Sequence, residues 1–428
     1  MHKKILIVGA RGFIGQALLQ QLQAAGHRVT ACVRDTQRFR RDYPTTPVVQ
    51  ADYTSHTTPQ QWLPLLQGFE VVINAVGIIR EQDANSFAQI HTHGPIALFD
   101  AAVAAGVEKV VQISALGSDA AVLTPFHLSK RAADEHLART SGDWLILRPS
   151  LVYGEGGKSA ALFKAVAALP LIPLAGRGGQ RVQPVAVEDV ARIVLAFIDG
   201  EIPARQHVDV VGRQAVTIRE MLGHYRHWLG LGRPRFLAVP EWLALWLAHR
   251  LGLFGIAAPG AKTLALLRNG STADTARLIQ QTGITPLSLE EGLRRAPAQQ
   301  PERWHARLYF LHPLLRITLA FMWLWTALVS AGLYPLEESL ALLAAVGLTG
   351  TLGLAALVSA TLLDLLLGLA LLLRRRVNMA AWLSLAAITS YSLIITLALP
   401  EYWLHPFGPL SKNLPLLVAT LILIAMET

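Results

Sequence analysis

Seven residues near the N-terminus, Gly9-Ala10-Arg11-Gly12-Phe13-Ile14-Gly15, have the types and spacing to cradle a pyrophosphate. Glycine permits a tight turn, lets backbone approach the phosphates, and lets a helix pack closely on a strand. The anion would then rest on the unpaired N–H groups that open the following helix. The spacing is Gly-x-x-Gly-x-x-Gly rather than Gly-x-Gly-x-x-Gly, so its weight comes from lying at a strand-to-helix turn. A glycine turn that binds nothing is the plain alternative. A second group chooses between cofactors. The second apolar run ends Cys32-Val33-Arg34, and Arg34 arrives where an NAD site wants a carboxylate for the ribose 2′-hydroxyl. A guanidinium there forks onto a 2′-phosphate instead, with Arg11 and Arg38 as helpers. NADP(H) is therefore favoured over NAD(H). Asp35 follows at once, and a strand ending one residue later would restore NAD.

These groups need a frame. Short apolar runs at Lys4–Val8, Arg28–Val33, Val48–Gln50, Val71–Ala75, Lys109–Ser114 and Asp143–Arg148 read as strands. Helical patterns lie between them, clearest over Gln16–Ala25, Phe87–Ala105 and Thr124–Thr140. Strands that are almost wholly apolar imply burial on both faces, hence a parallel sheet with helices on each side. The expectation is an α/β, Rossmann-like, doubly wound parallel sheet over residues 1–150, with a substrate-side subdomain over 151–300. Within that subdomain, Arg177 and Arg181 flank a glycine-rich turn. Leu237–Ile256 is apolar enough to be either a buried helix or one dipping into lipid.

The formal net charge is +9, yet from Tyr309 onward five basic residues balance five acidic ones. The excess therefore belongs to the residues before Tyr309. Attraction to an anionic leaflet or to phosphorylated cofactors accounts for it. No nucleic-acid partner is expected, since no basic run carries interleaved aromatics. The single Cys32 excludes internal disulfides and a structural zinc site and fits a reducing compartment. Ile5–Val8 is too short for a signal peptide, so the first domain is expected in the cytoplasm.

Residues 301–312 read as a linker and 313–428 as an all-α transmembrane four-helix domain. Ile317–Tyr334 is uncharged for 18 residues and Val377–Pro400 for 24, enough to cross hydrocarbon. Arg303, Arg307, Arg316 and Arg374-Arg375-Arg376 belong inside by the positive-inside bias. That parity requires one crossing between them, near Leu352–Leu373, with Glu338–Thr349 on the outer side. Leu414–Met426 is a short fourth span. The expected location is the inner (cytoplasmic) membrane, multi-pass. Asp364 falls inside the second span, where a carboxylate is costly and marks either function or a hydrogen-bonded structural role, with Ser390 or Tyr391 as partner or in a protonated state with none. The four-helix pattern resembles the DoxX-like membrane family, some members of which are linked to quinone chemistry.

Further pieces are Ala51-Asp52, Asn74-Ala75-Val76-Gly77, Gln112-Ile113-Ser114-Ala115-Leu116-Gly117, Ser129-Lys130 and Leu147-Arg148-Pro149-Ser150. Val152-Tyr153-Gly154 and the segment 183–191 follow. With the glycine loop, they make residues 1 to about 296 resemble the extended and atypical short-chain dehydrogenase/reductases. The closest flavour is the atypical branch that includes the nucleotide-binding accessory subunit of respiratory complex I. The resemblance implies that Asp52 contacts the adenine and that Ala75, Val76 and Gly77 line the cofactor. It implies that Lys130 holds the nicotinamide ribose and that Arg148-Pro149-Ser150 lie along the nicotinamide end. In that family a Tyr four residues before the Lys is the acid or base, its phenol pKa lowered by the lysine. Here that residue is Phe126, and the usual mechanism is not available. The family's hydroxyl partner also fits poorly: Ser114 comes early, and Leu116 sits nearer its place.

His127 and Tyr153 are candidate substitutes, His127 against the plainer reading of a surface histidine. His91 and His93 lack the carboxylate or cysteine company of a metal site, so no metal is expected. Gly156-Gly157-Lys158-Ser159 mimics the end of a P-loop, but the position of its first glycine is Val152, which rejects that reading. Two functions stay open. One is an oxidoreductase passing hydride to a lipophilic, quinone- or isoprenoid-like substrate. The other is a non-catalytic NADPH-binding scaffold, assembly factor or redox sensor. A lipid-sugar epimerase is disfavoured by the missing acid/base pair. Membrane lipid or quinone is the expected partner, with a membrane-protein partner or a homo-oligomer also open.

Overall fold

The computed structural model describes residues 2–79, 81, 85–119, 124–253 and 271–427. The described residues form two compact units, one holding 2–244 and 271–306, the other 245–253 and 307–427. The first unit begins β1 (Lys4–Val8), α1 (Phe13–Ala24), β2 (Arg28–Val33), α2 (Thr36–Asp42), β3 (Val48–Gln50), α3 (Pro59–Leu66) and β4 (Val71–Asn74). A π-helical turn (Ala88–His93) then runs into α4 (Gly94–Ala104), followed by β5 (Lys109–Ile113), α5 (Pro125–Ala138) and β6 (Asp143–Pro149). After these come α6 (Lys158–Ala168), α7 (Val187–Asp199), β7 (Gln206–Val210), α8 (Ile218–Trp228) and α9 (Glu241–Leu253).

Seven strands make one parallel sheet in the order β3-β2-β1-β4-β5-β6-β7. Successive residues of β1 feed opposite faces. Ile5 and Ile7 pack with Leu18, Leu22 and Phe197, while Leu6 and Val8 pack with Trp62, Leu98 and Phe99. That two-sided burial is why the strands read as unbroken apolar runs. The edge strand β7 escaped the sequence reading because only Val208 and Val210 of Gln206–Val210 are fully buried. Strand order reverses between β1 and β4, the place where doubly wound sheets open a ligand crevice. Val8 is in register with both Cys32 and Asn74, so the loops after β1, β2 and β4 leave the sheet level with one another.

The substrate-side subdomain rests on short strand pairs, Val152–Tyr153 with Val185–Ala186 and Ile172–Ala175 with Phe236–Val239. Its core includes Phe163, Met221 and Tyr225. Two small helices, α10 (Thr275–Thr282) and α11 (Leu289–Arg295), and then α12 (Gln300–Leu308), complete this part of the chain. The part of Leu237–Ile256 after residue 253 lies outside the described residues. Within α9, Trp242 is 70% and Trp246 52% exposed, so this helix is not the core helix that was one of its two readings.

The second unit contains α13 (Leu311–Leu328), extended by a π-turn to Leu333, then α14 (Leu336–Ala345), α15 (Gly350–Leu372), α16 (Val377–Ala398) and α17 (Asn413–Met426). Three helices are long and apolar enough to cross a membrane: Leu311–Leu333, Gly350–Leu372 and Val377–Ala398. The fourth, α17, is about 21 Å long by its helical rise, short of a full hydrocarbon thickness. Both of its ends are nonetheless tied to neighbouring helices. Asn413 donates to the Ser392 hydroxyl at 2.8 Å, and Glu427 lies 3.1 Å from His312 at the start of α13. Arg316 is buried and donates to the terminal carbonyls of α15, Leu371 and Leu372, where a cation meets the negative end of the helix. A Cβ on Gly368 would meet the Leu324 side chain at 2.6 Å, so glycine there sets how closely α13 and α15 approach.

Candidate functional site

The loop after β1 is folded tightly enough that its glycines are required. Gly9 has φ +86°, and a Cβ on it would lie 2.9 Å from the Val76 side chain and 3.1 Å from the Ala75 carbonyl carbon. A Cβ on Gly15 would collide with the Gly9 carbonyl oxygen. Gly12 differs. It is exposed, has φ −72°, and begins α1 with no side-chain cap. The first N–H groups of α1 therefore point out of the helix end without a capping acceptor. They form a cradle that any side chain at Gly12 would begin to fill, and the donor set fits a pyrophosphate. Ile14 packs on the sheet core, and the Phe13 ring lies against Gly154 and Gly157, so the helix start is braced from both sides.

At the end of β2, Arg34 is exposed, its carbonyl held by Gln50 Nε2 at 3.1 Å. The neighbouring Asp35 is committed elsewhere: its carboxylate caps α2 by accepting from the Arg38 N–H at 2.9 Å. Arg11 sits 3.6 Å from Asp42 in a loose surface pair. Half-buried Asp52 closes its own turn, accepting from the Thr54 N–H at 3.0 Å.

On the β4 side, Lys130 is buried and donates to the carbonyls of Val76 at 3.2 Å and Ile113 at 3.0 Å. An ammonium has three hydrogens, and Gly77 stands next to it, its ideal Cβ position 3.4 Å from Nζ. Burial pushes Lys130 down to about 8, against the opposing pull of Asp134. Phe126, one turn earlier on α5, is stacked edge-on with His91 at 5.4 Å and Phe87 at 5.9 Å. His91 is fully buried and accepts from the Ile78 N–H at 3.0 Å through Nε2. Its proton is therefore assigned to Nδ1, facing the Ser129 hydroxyl at 3.0 Å, which in turn donates to the Phe126 carbonyl at 2.8 Å. Burial, then the charge of Lys130, push His91 down to about 2 and keep it neutral. It straps the loop after β4 to the helix that carries Phe126 and Lys130. His93 is exposed, and among the described residues no group of metal-binding side chains gathers.

Beneath this lies a polar chain that the sequence reading missed. Tyr53 donates to Asn74 (2.8 Å), Asn74 to Gln112 (2.7 Å), and Gln112 to Asp134 (3.3 Å), while Ser114 and Ser118 also donate to Asp134. Burial pushes Asp134 up to about 6, against the hydrogen bonds of Ser114 and the charge of Lys130. Its signal was available: Asn74 and Gln112 are polar residues at the ends of apolar strands, and they face each other in register. Ser114 thus serves this network.

The remaining candidates lie elsewhere. His127 is buried, which corrects the surface reading. Its Nε2 faces the Leu116 carbonyl at 3.1 Å and its Nδ1 the Thr124 hydroxyl at 2.7 Å, so both nitrogens are engaged. Tyr153 is packed in the subdomain core under α11, its hydroxyl 3.4 Å from the Ser288 carbonyl, and burial raises its phenol. Pro149 is buried at the end of β6, its carbonyl accepting from the Leu116 N–H at 3.0 Å. Arg148 is paired with Asp209 at 2.6 Å and lies 3.7 Å from Asp119. The structure brings together Gly9, Ala75, Val76, Gly77, Phe126 and Lys130, and leaves His127 and Tyr153 outside that group.

The NAD-dependent epimerase/dehydratase family matches residues 5–210. A ceramide reductase of Caulobacter vibrioides is 30% identical over 240 residues, covering 55% of this chain and 74% of that protein. The chain belongs to the NAD-dependent epimerase/dehydratase family. This epimerase/dehydratase-family chain also matches the DoxX-like family over residues 320–421, which joins an NAD(P)-binding, reductase-like domain to membrane helices. It is 27% identical over 252 residues to mitochondrial NADH dehydrogenase (ubiquinone) 1 alpha subcomplex subunit 9 of Arabidopsis thaliana, spanning 60% of that protein's length. An NADPH-dependent quinone oxidoreductase of Escherichia coli, solved with NADPH, shares its fold at TM-score 0.55 and 19% identity, over 68% of this chain and 99% of that one.

Proposed function

We propose that this protein is a membrane-held, NADPH-dependent reductase acting on a lipid-soluble quinone or carbonyl compound. The observation that carries the proposal is buried Lys130, held by the Val76 and Ile113 carbonyls beside Gly77 with a third hydrogen left for a ligand: the site can position a hydride donor, although Phe126 one turn earlier removes the family's usual proton exchange. Bound NADPH would supply the hydride and leave as NADP+. The backbone of Gly9–Gly15 would hold the pyrophosphate, and Arg34 would fork onto the 2′-phosphate. Asp52 would contact the adenine, and the third hydrogen of Lys130 would hold the nicotinamide ribose. Hydride transfer depends chiefly on positioning, and the substrate oxygen takes its proton from water. The membrane helices give a reason for a lipid-soluble substrate, and the similar ceramide reductase points the same way. Arg316 and Arg374-Arg375-Arg376 favour a cytoplasmic membrane with the N-terminal domain inside.

The test is consumption of NADPH by the purified full-length protein with decylubiquinone or a ketone-bearing lipid in nanodiscs. Turnover that disappears in Gly12→Val supports the reductase. The second reading, an NADPH-binding scaffold or assembly factor, is favoured by Phe126 and by similarity to a complex I subunit. NADPH that stays bound through purification and is never consumed with any acceptor would establish that reading and exclude the first.

A further inference from the structure

Helix α9 joins the two units in sequence, and its composition suits neither water nor a protein core. Trp242 and Trp246 lie one turn apart and are 70% and 52% exposed, with Leu247 also exposed beside them. Among the residues of α9 whose burial is described, only Ala248 is buried. Arg250 extends its guanidinium over the Trp246 ring, 5.5 Å from the centroid. Residues 245–253 group with the compact unit that holds the membrane-length helices. Exposed tryptophans with a snorkelling arginine are what the boundary between headgroups and acyl chains selects. In the other direction, Glu241 at the start of α9 lies close to Gly176, in the turn that also holds Arg177. The preceding strand Phe236–Val239 pairs with Ile172–Ala175 of the substrate-side subdomain.

We propose that α9 lies in the plane of the bilayer interface, with Trp242 and Trp246 in the headgroup boundary, and that the Gly176–Gly179 turn is thereby held at the lipid surface where a lipid-soluble substrate is taken up. The uptake half rests on the reductase reading above; the placement of α9 does not. The occupant is lipid, because the same chain carries three membrane-length helices and residues 245–253 fall in the same compact unit as those helices.

The experiment uses the full chain in nanodiscs of phosphatidylcholine with phosphatidylglycerol. A bimane label is placed by Trp246→Cys and, as a control on an exposed turn, by Glu201→Cys; native Cys32 is buried. Shallow nitroxide lipids should quench the Trp246→Cys label about twofold or more and leave the Glu201→Cys label bright, with iodide in the water doing the reverse. Iodide quenching equally at both positions would overturn the placement. Trp242→Ser with Trp246→Ser should raise KM for a lipid-embedded acceptor about tenfold and leave NADPH affinity and turnover of a water-soluble quinone unchanged. Equal KM changes for both acceptors would overturn the uptake role. Absence of turnover with every acceptor would instead remove the reductase reading and leave the quenching result standing.

Discussion

In the proposed function Arg34 and Lys130 do separable work at opposite ends of the crevice, and each yields a prediction. Because Asp35 is spent on capping α2, the proposed preference for NADPH rests on Arg34. Arg34→Ala should weaken NADPH binding by about tenfold or more, the loss of a charge-assisted pair, and leave NADH binding unchanged. Equal effects on both nucleotides in a binding titration would refute the assignment. Lys130 donates two hydrogens to backbone carbonyls, so only the charged form has one left for a ligand. Burial pushes it down to about 8. NADPH affinity should therefore hold from pH 7 to 8 and fall as pH rises above it, while Lys130→Met should bind weakly with no such step. Stability moves the other way. A lysine lowered in the fold makes the unfolded chain bind more protons between about 8 and its ordinary value, so this group's contribution to stability rises with pH across that window.

At the scale of elements, the β1–α1 turn separates folding from binding. Gly15 faces the Gly9 carbonyl, so Gly15→Val should destabilise the domain by about 3 kcal/mol or more, seen as a large fall in Tm. Gly12 faces the open end of α1, where a Cβ would stand 3.1 Å from the Gly9 carbonyl oxygen, so Gly12→Val should lose far less stability than Gly15→Val, stay folded and fail at the ligand. Much of this frame was legible in the residues. Three of the six expected strands match the observed ends, and the others differ by one residue, because apolar strands buried on both faces are bounded sharply by glycine and polar residues. Helix α1 starts at Phe13 and not at Gln16, since a dinucleotide turn leads directly into the helix and Gly15 itself takes a helical position. Phe87–Ala105 reads as one helix, but its first part is a π-turn. The wider turn accompanies His91 against Ile78 and Ser129, partners 13 and 38 residues away, and no local pattern announces that. The Asn74–Gln112–Asp134 chain stayed hidden for the same reason: each member looks ordinary until strand register places it beside the next.

For the whole molecule, four spans are expected from the sequence, and three helices are long and apolar enough to cross a membrane, while α17 is shorter. Asp364 sits on the inward stripe of α15 with Leu367 and Leu371, 3% exposed, and its Oδ1 has no hydrogen-bond partner. Ser390, one of its two expected partners, is exposed, and no hydrogen bond links Asp364 to Tyr391 among the described residues. A buried carboxyl without a partner costs stability. Asp364→Leu should therefore leave the protein folded in detergent with a raised Tm, and a lowered Tm would show that the carboxyl holds the bundle together. The central claim, that this membrane protein carries a working dinucleotide site between β1 and β4, is tested most directly by titrating full-length protein with NADPH and following energy transfer from tryptophan. The account predicts saturable one-site binding to the wild type and at least about a hundredfold loss in Gly12→Val while that variant is still folded at the assay temperature. Equal binding by the two proteins, or none by the wild type, would contradict it.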